Sequence, residues 1–485
     1  MNKSISRVAT AVLVLFGALF VNMNVIALVQ ADDLANHPAN RRLIVREYEI
    51  TRGPIVVGEH AVAMSTATDG ELTYLRTYPE GPRYAHLTGY YSIVLQRSGL
   101  EAALNEQLTG RPTQMVAQNL AELLGQRDVA GNAVVLTINP AVQAAAEAAL
   151  DGREGAVVVI DPNTGSVLAS YSNPTFDPNP LSQHDTSAIA TAWEQLLADP
   201  SRPLLDRALR ETYPPGSTFK LIVAAAALEQ GRTPLTRFPD ERVFDVPQTT
   251  ADIGNFGGGL CNQGEPLTLE DALRVSCNTV FARLGVDLGA DVLVEQAERF
   301  GLNRAVPYEL SISPSVIPTE LDIPQTAQSA IGQRDVRVTP MQMAIVAAAI
   351  ANDGVIMRPH VVATVRNPEG ARVRSGESGR WTDLPGDGRA ISSRTAQQLR
   401  RTMVETVLRG TATRARIDGV EVGGKTGTAQ TGGDPIAWFV GFAGDDLAIA
   451  VAVTDEGPDA TGGAVAAPIA RTVLQAAIDA DASTG

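Results

Sequence analysis

Only three of the 39 lysines and arginines in this 485-residue chain are lysine, and two of those three sit in motifs rich in hydroxyls. Lys220 lies three residues after Ser217, and Lys425 opens Lys425-Thr426-Gly427-Thr428. The third, Lys3, precedes an apolar segment where any cation would serve. Arginine stays charged in proteins, whereas a desolvated lysine can lose its proton and act as a base. Ser217 follows Pro214-Pro215-Gly216, so a glycine turn sets its hydroxyl at a helix N-terminus, where backbone amides point toward any nearby anion. Lys220, one turn on and on the same face, is within reach of that hydroxyl. A serine nucleophile needs a base, and the familiar one is histidine. None of the five here (His37, His60, His86, His184, His360) stands in a nucleophile-elbow context, which makes lysine the economical base. Read alone, Ser217 could equally be a helix cap and Lys220 an ordinary helix residue.

Ser276-Cys277-Asn278 is the only Ser-x-Asn in the chain and sets a hydroxyl and an amide two residues apart. Such a pair can relay a proton and hold a peptide-like group, although both residues are also common helix caps. Lys425 to Thr428 follows Gly423-Gly424 on an expected strand, where glycine lets another backbone or a ligand approach closely. The lysine and two hydroxyls could bind a carboxylate, and the strand edge could pair with an extended peptide.

The elements that must position these groups are readable in outline. After residue 30, short apolar runs alternate with turn residues. Arg52-Gly53-Pro54 leads into a strand Ile55 to Val57, and Tyr78-Pro79-Glu80-Gly81-Pro82 is a turn cluster ahead of Tyr90-Tyr91-Ser92. A strand Val134 to Ile138 precedes a helix that starts at Pro140 and ends at Leu150. Gly155 to Ile160 and Val167 to Tyr171 flank Asp161-Pro162-Asn163-Thr164-Gly165 as a hairpin. Helices are expected from Ser217 to near Gly231, over Leu269 to Val275, over Thr279 to Leu288, and over Met341 to Ala351 behind Thr339-Pro340. The run Arg366 to Ala390 is polar and glycine-rich and reads as a surface insertion. Strands Lys425 to Ala429, Ala437 to Phe442 and Leu447 to Val453 come before a closing helix, Ala466 to Ile478. The pattern is α+β with an antiparallel sheet.

A net charge of −15 with no offsetting basic patch argues against a nucleic-acid partner. Val8 to Val29 carries no charge, and 22 helical residues span about 33 Å, enough for the hydrocarbon core of a bilayer. Lys3 and Arg7 before it, and Asp32 and Asp33 after it, put residues 1–7 in the cytoplasm and the rest outside. A cleavable signal peptide ending near Val29-Gln30-Ala31 is the competing reading. Both cysteines, Cys261 and Cys277, would then lie in an oxidising compartment. One disulfide closing a small loop is consistent with that, and two free buried thiols remain the alternative.

In this order, Ser-x-x-Lys, Ser-x-Asn and Lys-Thr-Gly resemble the signature of the penicillin-binding proteins and serine β-lactamases. The gaps of 59 and 149 residues suit a transpeptidase domain better than a compact β-lactamase. Arg52-Gly53, Gly99-Leu100-Glu101, Gly332-Gln333, Thr339 to Ala344 and Gly424 to Gln430 look like class B penicillin-binding proteins. Asn36 to Arg42 and the arginine bias are similar to the actinobacterial branch. The resemblance implies a penicillin-binding/serine β-lactamase-like transpeptidase domain over residues 133–485. It also implies a smaller strand-rich, non-catalytic pedestal or dimerisation-like domain over 30–132, and a transmembrane anchor over 8–29. It implies that Ser217 attacks the penultimate D-alanine carbonyl of a stem peptide ending in D-Ala-D-Ala, with Lys220 taking its proton and Ser276 relaying one to the departing D-alanine. Asn278 would hold the donor amide, and Lys425, Thr426, Gly427 and Thr428 would form the carboxylate-binding strand. The amides of Ser217 and Thr428 would be the oxyanion hole. No metal and no organic cofactor are implied. β-Lactams would acylate the same serine, and a multi-spanning glycan polymerase is the implied membrane partner. A D,D-carboxypeptidase or β-lactamase, and a non-turnover penicillin-binding scaffold, are the alternative readings. Cysteine at the middle of Ser-x-Asn departs from the pattern; paired with Cys261 it would tie that loop down, an inference from this chain and not a family rule.

Overall fold

A computed structural model describes residues 2–28, 30, 48–70, 72–110 and 130–484. Asn36 to Arg42, including His37, lie outside the described residues. The apolar N-terminal run is a helix over Asn2–Leu28, and its Ile5–Ile26 stretch is long and apolar enough to cross a membrane.

The five-stranded sheet runs Val422–Ala429, Ile436–Ala443, Leu447–Val453, Gly155–Ile160, Val167–Asn173, every neighbour antiparallel. Its inner strands are continuously apolar because both faces are covered. Successive side chains point to opposite faces. Val157, Val159, Phe439, Ile449 and Val451 thus enter one core, shared with helices Pro140–Leu150 and Ala466–Thr484. Ala156, Val158, Ile160, Val440 and Ala450 enter the other, with helices Lys220–Glu229 and Pro340–Ala351. A slip of one residue would exchange the two cores, so the register of the Lys425 strand is fixed from far inside the sheet. Helix starts follow their caps. Asn139 accepts from the amides of Ala141 and Val142, and Thr339 from that of Gln342. All twelve residues of Pro340–Ala351 are buried, as suits a helix that is apolar all round.

A second, six-stranded sheet is woven from distant parts of the chain. Its order is Arg372–Ser375, Val362–Arg366, Ala133–Leu136, Ile55–Val57, His60–Ala67, Tyr74–Thr77. The division expected after residue 132 falls just before a strand that pairs in parallel with Ile55–Val57 and antiparallel with Val362–Arg366. The polar stretch expected to be a surface insertion supplies an edge strand instead. All four residues of Arg372–Ser375 are exposed, so no apolar alternation betrays it. The turn cluster at Tyr78 to Pro82 likewise opens a helix, Gly81–Thr88, with Pro82 in its first turn, where its missing N–H costs nothing.

Arg52 and Glu101, quoted separately in the sequence, meet with Arg76 of the strand Tyr74–Thr77. Arg52 Nε lies 2.5 Å and Arg76 Nε 2.6 Å from the two oxygens of Glu101, all three side chains buried. Burial alone would raise the Glu101 pKa, but Arg76 and then Arg52 outweigh it and hold the carboxyl below its ordinary range. A buried triad adds little net stability. Removing one member, however, strands the other charges, so the triad fixes how Arg52-Gly53 enters the first strand.

Candidate active site

Ser217 sits in a 3-10 turn, Gly216–Phe219, that leads into the buried helix Lys220–Glu229. Three contacts hold the turn. Trp438 Nε1 donates to Pro214 O at 3.0 Å, Thr218 Oγ1 to Pro215 O at 2.7 Å, and Gly216 N to Gly332 O at 2.9 Å. Trp438 is fully buried in the strand beside the Lys425 strand, so the Ser217 turn is bolted to the sheet. Two glycines permit the approach. A Cβ on Gly427 would lie 2.9 Å from Pro215 O, and one on Gly332, which has φ +71, would lie 2.0 Å from Gly216 O. Gly332→Ala is therefore expected to push the Ser217 turn out of place and slow acylation by a fluorescent penicillin by about a hundredfold. Labelling at the wild-type rate would refute this placement.

Ser276 ends helix Leu269–Val275 in a left-handed conformation, φ 65 and ψ 40, uncommon for serine. The turn aims both its carbonyl and its hydroxyl at buried amines. Lys220 Nζ donates to Ser276 O at 2.8 Å and to Asn278 Oδ1 at 2.6 Å, with Ser276 Oγ at 3.4 Å. Lys425 Nζ donates to Ser276 Oγ at 2.8 Å and to Thr426 O at 2.8 Å. Asn278 Nδ2 in turn donates to Gly254 O at 3.0 Å. A disulfide joins Cys261 to Cys277, with Cα atoms 5.9 Å apart. The Asp240 carboxylate accepts from the amides of Cys261, Asn262 and Gly264, anchoring the far end of that clasp.

Both amines are fully buried. Burial first, and then the neighbouring Lys425, draw the Lys220 pKa well below the ordinary lysine value. Burial brings Lys425 down to about 7. In its neutral form Lys220 would spend both hydrogens on the two short bonds and keep its lone pair for a proton. Among the described residues its hydrogen bonds go to Ser276 and Asn278, and none goes to the Ser217 hydroxyl. A lysine reaching along its own helix face finds the left-handed Ser276 turn directly opposite. Catalytic hydrogen bonds commonly tighten only once substrate is bound.

Thr426 is buried and its Oγ1 lies 2.6 Å from Thr411 Oγ1; Thr428 Oγ1 accepts from Gly462 N at 3.4 Å. With its amide turned over, the Gln333 carboxamide pairs with both backbone groups of Gln430 at 3.3 Å, beside the end of the strand. Among the described residues no histidine contacts these groups. His86 contacts Pro203 O, His184 contacts Tyr74 O, and His360 contacts Ser166. The fold thus brings Lys220, Asn278 and Lys425 together at the Ser276 turn and sets the turn that carries Ser217 against Gly427 and Thr428 of the Lys425 strand. Sequence reasoning missed Trp438, Thr411 and Asp240. A lone tryptophan in a strand signals only a core residue, and the other two lie on loops with no motif.

A family model described as the penicillin binding protein transpeptidase domain matches residues 155–475. A second, the penicillin binding protein A dimerisation domain, matches residues 52–134. A curated relative named peptidoglycan D,D-transpeptidase PbpA, from Mycolicibacterium smegmatis, is 42% identical over 494 residues, covering 99% of each chain. Penicillin-binding protein A from M. tuberculosis, solved as a ceftriaxone acyl-enzyme complex, superposes with TM-score 0.85 at 38% identity over 90% of this chain and 100% of that one. Its penicillin G acyl-enzyme complex gives TM-score 0.82 at 37% identity over 88% and 100%.

Proposed function

Because the chain belongs to the class B penicillin-binding proteins, we propose that it is a membrane-anchored peptidoglycan D,D-transpeptidase that works through an acyl-enzyme on Ser217. One observation carries the reading. Ser276 is held at once by the lysine of the nucleophile's helix and by the lysine of the carboxylate-binding strand. No structural role calls for two buried, partly neutral amines on one hydroxyl-bearing turn. Charges taken out of water are costly, and a core would be served by apolar residues.

The chemistry follows from those contacts. Ser217 Oγ attacks the carbonyl of the penultimate D-alanine while Lys220 Nζ, neutral, takes the hydroxyl proton. The carbonyl oxygen becomes an oxyanion facing the amides of Ser217 and Thr428, each worth about 3 kcal/mol in the transition state. As the peptide C–N bond breaks, Ser276 Oγ gives a proton to the departing D-alanine amine and is resupplied from the lysine pair. An acceptor amine then attacks the ester and the proton path runs backward. Asn278 holds the donor amide, and Lys425, Thr426 and Thr428 hold the terminal carboxylate beside Gly427. A β-lactam enters the same path, but its leaving nitrogen stays tethered to the acyl group and the ester persists.

The anchor is residues 8–29, with residues 1–7 inside the cell and the catalytic part outside. Residues 30–132 form the pedestal and 133–485 the transpeptidase domain. A multi-spanning glycan polymerase supplies the strands to be joined. Intact-mass measurement tests the reading. Benzylpenicillin is expected to add one adduct at Ser217, and a D-Ala-D-Ala peptide with an acceptor amine is expected to give the cross-linked amide. Hydrolysis alone, with no amide formed, would mark a carboxypeptidase. An unreleased acyl group from the peptide would mark a scaffold.

A further inference from the structure

Thr411 lies outside every motif, yet its hydroxyl reaches the carboxylate-binding strand. Its Oγ1 is 2.6 Å from that of Thr426. Thr426 is only 6% exposed, whereas Thr411 is an exposed residue. A hydroxyl pair whose outer member is open to solvent contributes little to stability, because water would serve as well.

The turn that carries Thr411 is nevertheless tightly placed. It follows helix Ser393–Arg409, and a Cβ on Gly410 would lie 2.6 Å from Arg274 O, two residues before Ser276. Arg274 Nη1 donates to Arg409 O at 3.3 Å. On the other side a Cβ on Gly463 would lie 2.6 Å from Thr411 O, and the adjacent Gly462 N donates to Thr428 Oγ1. The turn is therefore registered against both the Ser276 turn and the Thr426–Thr428 strand.

Proton counting gives the pairing its direction. A hydroxyl has one proton to donate and two lone pairs to accept with. If Thr426 is to donate to a carboxylate, its proton must face the ligand, and the neighbour 2.6 Å away must then be the donor to its oxygen. We infer that Thr411 is a positioning residue for the donor's terminal carboxylate. Its O–H donates to Thr426 Oγ1 and so turns the single Thr426 proton toward the substrate. The ligand class is a C-terminal carboxylate, on a stem peptide or on the ring of a β-lactam.

This inference rests on the acyl-enzyme reading, and its test keeps the two apart. Acylation rates of the full chain are measured with benzylpenicillin and with its methyl ester, which lacks the charge. Wild type is expected to favour the acid. Thr411→Val, and Thr411→Ala as a second variant, are expected to lower that preference about fivefold by slowing the acid alone, and Thr411→Ser is expected to restore it. An unchanged preference in Thr411→Val or Thr411→Ala, or acid and ester slowed equally, would overturn the inference while leaving Ser217 acylation intact. A wild type that neither compound acylates would overturn the acyl-enzyme reading itself.

Discussion

Lys220→Arg is expected to fix a permanent positive charge at that position and to lose between about a hundredfold and ten-thousandfold in acylation rate by benzylpenicillin, the range that a positioned general base contributes. Guanidinium cannot give up its proton under any condition the protein survives. Lys220 differs because burial and Lys425 both disfavour its charged form. The sign of the pH dependence follows. Below its lowered pKa the amine is protonated and cannot accept from Ser217, so wild-type acylation falls as pH drops through that value. The Lys425 pKa of about 7 lies on the same side, so acidification charges both amines of the Ser276 turn. In the arginine variant the residual rate should have lost the limb that belongs to Lys220. A melting curve taken alongside separates loss of the base from loss of the fold. Acylation within a few fold of wild type would remove Lys220 from the proton-accepting role.

Ser217→Ala is expected to abolish the covalent adduct altogether. The loss is larger in kind than any change of base, because it removes the oxygen on which the proposed ester forms. The fold should be unaffected. Ser217 is only half-buried, and the turn is held by Pro214, Pro215 and Gly216 through their backbones. Peptide mapping after incubation with fluorescent penicillin reads the result directly. A label that persisted, for instance on Ser276, would relocate the nucleophile and with it the direction of attack.

Much of the site could be read from residue types, because its chemistry demands amines and hydroxyls at short fixed spacings. Ser217 to Lys220 and Ser276 to Asn278 are local, and the caps at Asn139 and Thr339 are local too. The central strands were equally visible, since burial on both faces leaves continuous apolar runs such as Leu447–Val453. What escaped was non-local or unpatterned. The Arg372–Ser375 strand is exposed throughout and reads as a loop. The left-handed turn at Ser276 leaves no trace in composition, yet it decides where the Lys220 amine goes. The Arg52–Arg76–Glu101 triad joins residues from three segments, and only its end members belonged to a recognisable motif.

The woven six-stranded sheet has a mechanical meaning. Ala133–Leu136 is laced on one side to Ile55–Val57 and on the other to Val362–Arg366, so one strand joins chain segments more than 200 residues apart. Tugging on the tethered end would load a ladder of backbone bonds in shear, not a flexible hinge. Cutting the chain just before residue 133 would strip Ile55–Val57 of its parallel partner and leave the sheet in two pieces.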